Sequence, residues 1–211
     1  MTESTGRRTI VNLPNILTVS RIFATPLFLL MLFAEAGHWR GGAVIVFLLA
    51  SLTDLYDGKL ARARDCVTEF GRFMDPFADK ILVSSALVAF AVRGVVNAWI
   101  VVPIVVRDVA ITGMRMYGLY QGRMMETSRL AKWKTTAQLV TVIVILLLLG
   151  LQEIAGYQQW TSVLTAKAWL PLLSNSLMAG VLLLTLMSGF HYFYLYKLLE
   201  NILEFYLRYP A

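Results

Sequence analysis

The sequence predicts an all-α integral membrane protein of six transmembrane helices preceded by a short N-terminal interfacial segment. Three observations predict it. Of 211 residues, 58% are apolar, more than a water-soluble core of this length uses. The apolar residues gather into six runs separated by polar stretches. The basic residues fall unevenly between the two sides that six such runs create, as they do in multi-pass proteins.

The runs centre on Ile16 to Phe33, Gly42 to Leu55, Ile81 to Val92, Trp99 to Val109, Leu139 to Leu151 and Leu172 to Ser188. Crossing a hydrocarbon core of about 30 Å takes roughly 20 helical residues, so the shorter runs must borrow polar residues at their ends. Helices are expected because lipid cannot satisfy open backbone groups. Thr9 to Thr18, with Pro14 inside it and Arg7 and Arg8 upstream, reads as an interfacial lead-in. Tyr192, Tyr194, Tyr196, Phe205, Tyr206 and Tyr209 around Lys197 and Arg208 suit the headgroup layer. No linker, low-complexity tract or internal repeat interrupts the chain, so one helical bundle over residues 1–211 is the economical architecture.

With six spans and the N-terminus inside, only Arg40, Arg93 and Lys167 of the 19 basic residues face the far side; both termini are then cytoplasmic. The N-terminus lacks the apolar stretch and cleavage site of a signal peptide, so the first helix is expected to stay as an anchor. The net charge of +6 reads as a membrane-surface and phosphate-facing charge, not a nucleic-acid patch, because the cations sit between apolar runs. A single cysteine, Cys66, excludes an intramolecular disulfide and a CxxC metal site, and His38 and His191 lie far apart.

The chemistry concentrates between Asp54 and Asp79, which holds six of the thirteen acidic residues. Carboxylates beside apolar spans are costly unless hydrated, paired or metal-bound. An ordinary charged turn with Lys59, Arg64 and Arg72 is the bland alternative, and spacing weakens it. Asp54 and Asp57 are three apart, and Asp75 and Asp79 four apart, so each pair shares one face of a helix. Two such repelling pairs make sense with divalent cations between them, and hard oxygen donors suit Mg²⁺ or Mn²⁺. Gly58, Ala61 and Gly71 lie about a turn from the carboxylates and leave room for a ligand, although small residues also serve close helix packing.

These residues form the pattern Asp54-x-x-Asp57-Gly58-x-x-Ala61-Arg62, eight further residues, then Gly71-x-x-x-Asp75-x-x-x-Asp79. At every fixed position it resembles the signature of the CDP-alcohol phosphatidyltransferase family. The resemblance implies a six-helix membrane fold, usually a homodimer, in the cell's inner (plasma) membrane. It also implies a polar active-site cavity open to the cytoplasm and one or two Mg²⁺ or Mn²⁺ ions. It implies further that Asp54, Asp57, Asp75 and Asp79 hold the metals, that the CDP diphosphate of the lipid bridges them, and that Asp79 doubles as general base. Gly58, Ala61 and Gly71 then make room for the cytidine and diphosphate, Arg62 pairs with phosphate or base, and Thr68 adds a hydroxyl contact.

Outside the signature, Pro14-Asn15-x-x-Thr18-x-x-Arg21, Asp75-Pro76-x-Ala78-Asp79-Lys80 and Lys132-x-Lys134-Thr135-Thr136-Ala137-Gln138 look like the branch that joins CDP-diacylglycerol to glycerol 3-phosphate. Asn15, Thr18 and Arg21 lie at three-residue steps and are candidates to touch the CDP-lipid; a helix cap and a snorkelling arginine produce the same pattern. Glycerol 3-phosphate is a dianion, and Arg107, Arg115, Lys132 and Lys134 are candidates to hold its phosphate, with positive-inside anchoring as the alternative. Arg107 follows the apolar run Ile100 to Val106, so it needs a partner. The branch commonly has Arg-Glu here; this chain has Arg107-Asp108, which loosens the acceptor and not the reaction class. Inositol phosphate, serine or phosphatidylglycerol are alternative acceptors. An ion-coupled transporter is the alternative of another class, but its carboxylates should lie near mid-membrane and be spread over repeats.

Overall fold

A computed structural model of the chain describes residues 13–34, 38–64, 69–120, 129–157 and 169–208, with side chains over 19–34, 39–53, 77–78, 80–118, 120, 130–152 and 169–190. The described residues are helical throughout apart from residue 34 and the turn between the third and fourth helices. The helices are α1 (Leu13–Phe33), α2 (His38–Arg64), α3 (Glu69–Val92), α4 (Ala98–Tyr120), α5 (Arg129–Tyr157) and α6 (Trp169–Arg208). Each of the six apolar runs falls inside one of them.

Among the described residues, two stretches are long and apolar enough to cross a bilayer, the 23 residues Leu130–Gln152 of α5 and the 22 residues Trp169–Phe190 of α6. At about 1.5 Å per residue, both exceed the roughly 30 Å of a hydrocarbon core. Val19–Phe33, Trp39–Thr53 and Lys80–Val92 are apolar stretches within the described side chains, and their helices extend beyond them. The expected lead-in is not a separate element from Leu13 onward. There it is already the first turn of α1, because Pro14 occupies a position whose N–H has no helical partner anyway; residues 9–12 lie outside the described residues. Likewise α6 runs unbroken to Arg208 through most of the aromatic C-terminal belt.

The chain divides into two compact units. Unit 1 contains α1, α2, most of α3 and the second half of α5, from Val142. There α1 lies along α2, with the Phe28 and Phe47 rings 5.3 Å apart and tilted by 53°. The end of the Met31 side chain fills the space over Gly42, where a Cβ would meet Met31 Cε. Pro26 removes one backbone hydrogen bond inside α1, and the neighbouring Thr25 hydroxyl donates to the Arg21 carbonyl at 3.0 Å.

Unit 2 contains the end of α3, α4, the first half of α5 and α6. Gly94, at φ 69°, ends α3 in the left-handed conformation that glycine adopts most easily, and its N–H donates to the Ala91 carbonyl at 3.0 Å. Asn97 caps α4 by accepting from the Trp99 N–H at 3.0 Å, while its own N–H donates to Asn175 Oδ1 of α6 at 2.7 Å.

In unit 2 the polar residues Lys134, Ser174, Thr185 and Ser188 are fully buried among apolar ones such as Val101, Ile104 and Met178, while Trp99, Leu172 and Phe190 are 85%, 72% and 77% exposed. Large apolar side chains turned outward are the arrangement a lipid solvent selects, since outward Leu and Phe cost nothing there.

Candidate functional site

The carboxylate motif is distributed over two helices of unit 1. Asp54, Asp57, Gly58, Ala61 and Arg62 lie on α2; Gly71, Asp75 and Asp79 lie on α3. Their side chains are outside the described ones, and Thr68 lies outside the described residues altogether. What the backbone provides is register. On α2 the buried positions Ala43, Phe47 and Ala50 step by four and three residues, and the next steps of the same rhythm are Asp54, Asp57 and Ala61. On α3 the buried positions Leu82, Ala86 and Ala89 extend backward through Asp79 and Asp75 to Gly71. Each aspartate pair thus lies about one turn apart on a helix, three residues apart on α2 and four on α3.

Cations meet a partner in unit 2. Arg107 on α4 donates from Nη1 to Asp108 Oδ1 at 3.2 Å and from Nη2 to the Ser188 hydroxyl on α6 at 2.8 Å. Lys134 on α5 donates from Nζ to the same Asp108 Oδ1. The Lys134 and Asp108 side chains are 0% and 1% exposed, against 17% for Arg107. Adjacent positions on a helix do not normally face each other, and only the length of the arginine stem lets Arg107 reach back to Asp108. Among the described residues, two cations share one carboxylate oxygen. The partner that Arg107 needs is thus supplied partly by its neighbour and partly by α6.

The other expected residues are placed as follows. Arg115 lies two turns beyond Arg107 on α4, half-buried, its Nε without a hydrogen-bond partner. Lys132 is exposed at the start of α5. Arg21 is buried at 1% exposure on α1, unlike an arginine snorkelling to water. Asn15 and Thr18 lie on the same helix with side chains outside the described ones. Sequence reasoning missed Ser188, whose only signal was a hydroxyl in an apolar run. It also gave no role to Gln138, one turn after Lys134, whose Oε1 is buried without a partner.

Residues 11–187 match the family model described as CDP-alcohol phosphatidyltransferase. Curated relatives agree in name. A CDP-diacylglycerol–glycerol-3-phosphate 3-phosphatidyltransferase of Cereibacter sphaeroides is 36% identical over 149 residues, 69% of this chain and 67% of that protein. One of the same name from Bacillus subtilis is 39% identical over 150 residues, 64% of this chain and 77% of its own length. A probable phosphatidylglycerophosphate synthase of Mycobacterium tuberculosis is 40% identical over 140 residues, 65% of this chain and 66% of that protein.

Proposed function

The chain belongs to the CDP-alcohol phosphatidyltransferase family, and from that premise we propose that it transfers the phosphatidyl group of CDP-diacylglycerol to glycerol 3-phosphate. The products are CMP and phosphatidylglycerol phosphate. The observation that carries the acceptor is the Arg107–Asp108–Lys134 cluster, in which, among the described residues, two cations converge on one carboxylate; cations so placed suit a phosphate and are of little use to serine. The names of the relatives support the same acceptor.

The donor set fits a divalent metal: four hard carboxylates, one pair on α2 and one on α3, the members of each pair about one helical turn apart. Asp54, Asp57, Asp75 and Asp79 would hold Mg²⁺ or Mn²⁺, whose chemistry when bound is to neutralise charge on the diphosphate and on departing CMP. The chain's own groups do the rest. Asp79 takes the proton from the acceptor hydroxyl as its oxygen attacks the lipid-side phosphorus. The bond from that phosphorus to the bridging oxygen breaks, and CMP leaves with the electron pair. Gly58, Ala61 and Gly71 leave space for the nucleotide, and Arg62, Thr68, Asn15, Thr18 and Arg21 bind the CDP-lipid. Arg107, Arg115, Lys132 and Lys134 orient the acceptor through its phosphate, lowering the entropic cost of bringing hydroxyl and phosphorus together.

The long apolar helices and the exposed large apolar side chains of unit 2 support a place in the membrane. In this reading all six helices span the inner membrane as one homodimer-forming domain, with both termini and the active-site cavity on the cytoplasmic side. The deciding experiment supplies purified protein with CDP-diacylglycerol and, in turn, glycerol 3-phosphate, inositol phosphate, serine and phosphatidylglycerol, and measures CMP release. More efficient turnover with any acceptor other than glycerol 3-phosphate overturns the assignment.

A further inference from the structure

We propose that Ser188 is a positioning residue for the acceptor: from α6 its hydroxyl, together with Asp108, fixes the plane of the Arg107 guanidinium. The inference rests on the reading that Arg107 holds the acceptor phosphate. Ser188 is fully buried. A hydroxyl has one proton, and that of Ser188 is committed to the Thr185 carbonyl at 3.1 Å, within the same helix. Its lone pairs are therefore left to accept from Arg107 Nη2 at 2.8 Å, and the direction of that bond cannot reverse. Asp108 Oδ1 takes the other terminal nitrogen at 3.2 Å.

Two acceptors on two helices, each gripping a different nitrogen of one rigid plane, determine how that plane is turned. The stem is guided as well: a Cβ built on Gly189 would lie 3.9 Å from Arg107 Cγ, so the α6 backbone runs alongside it. Of the five guanidinium N–H groups, two are committed to these bonds, the Nε–H is buried without a hydrogen-bond partner, and one N–H on each terminal nitrogen is left for a ligand. An arginine grips phosphate best through two parallel hydrogen bonds, which demand a fixed plane. Asp108 alone leaves the group free to pivot about a single contact, and Ser188 removes that freedom.

The test uses the full-length purified chain with CDP-diacylglycerol and Mg²⁺ saturating, comparing Ser188→Ala, Ser188→Thr, Arg107→Ala and the Ser188→Ala/Arg107→Ala double variant. Loss of a hydrogen bond to a charged group is expected to raise the KM for glycerol 3-phosphate about ten-fold in Ser188→Ala. The KM for CDP-diacylglycerol should not move, and kcat should change less than the glycerol 3-phosphate KM. Ser188→Thr keeps the hydroxyl and should restore the constant to within about two-fold. In the Arg107→Ala background, Ser188→Ala should add nothing, because the group it orients is gone. The proposal is overturned if Ser188→Ala leaves the glycerol 3-phosphate KM unchanged, shifts both substrates alike, or acts equally strongly without Arg107. If Arg107→Ala itself leaves that KM unchanged, the acceptor reading fails and takes this inference with it. If Arg107→Ala raises it while Ser188→Ala is silent, only the positioning role fails. Should Ser188→Ala not fold, Ser188→Cys, close in volume and a much weaker acceptor, is judged by the same criteria.

Discussion

Lys134 on α5 and Asp108 on α4, 26 positions apart in sequence, form an ion pair in which neither side chain is open to solvent. Removing one partner of such a pair strands a charge in the interior, whereas replacing both by apolar groups of similar volume does not. Asp108→Leu is therefore expected to destabilise the protein by about 3 kcal/mol or more, and Asp108→Leu/Lys134→Met to recover part of that loss, since Arg107 still loses its carboxylate partner, without recovering activity. Thermal unfolding in detergent, paired with CMP release, checks both halves. A double variant as unstable as the single one argues against the pair as the cause.

Metal removal should be decisive. Four carboxylates in register on two helices would repel one another and the diphosphate without a cation. EDTA is expected to abolish CMP release, and added Mg²⁺ or Mn²⁺ to restore it. Full turnover in chelator would exclude the four-aspartate metal site.

The aspartates should divide by role. Asp54→Asn and Asp75→Asn weaken the donor set, so their loss of turnover should be eased partly by raising the metal concentration. Asp79→Asn also removes the proton acceptor, a loss typically of 10² to 10⁴-fold that metal cannot make good. Metal titrations of the three variants separate these outcomes. Near-normal turnover of Asp79→Asn at saturating metal would move the base elsewhere.

Acceptor saturation curves test the cations. Arg107→Ala is expected to raise the KM for glycerol 3-phosphate most, and Arg107→Lys to remain impaired, because an ammonium cannot reach Asp108, Ser188 and a phosphate together. Lys132→Ala, on an exposed position, should act more weakly, and Arg115→Ala should fall between. Lys134→Arg should lose stability as well as affinity, since the longer side chain has no room where Lys134 is fully buried. Unchanged constants in all of these variants would remove the acceptor pocket from unit 2.

Much of the fold is legible in local pattern. Apolar run length specifies helices because backbone groups in lipid have no other partner, and all six runs became helices of their own. The helix ends were less legible. Thr9 to Thr18 reads as a separate lead-in with Pro14 inside it, yet α1 begins at Leu13, because a proline in the first turn breaks no hydrogen bond.

The sequence by itself determined the reaction class. The spacing of Asp54, Asp57, Asp75 and Asp79 is a covalent fact, and helical periodicity turns it into shared faces wherever a helix forms. It also marked Arg107 as a cation in need of a partner. Only the tertiary structure decided which partner. Asp108 was visible as a neighbour, but that Lys134 would share its carboxylate oxygen and that Ser188, 81 positions away, would take the other guanidinium nitrogen depends on how α4, α5 and α6 pack. Helix packing is set by side-chain shape summed over whole faces, and no residue near Arg107 in the chain encodes where α6 will pass.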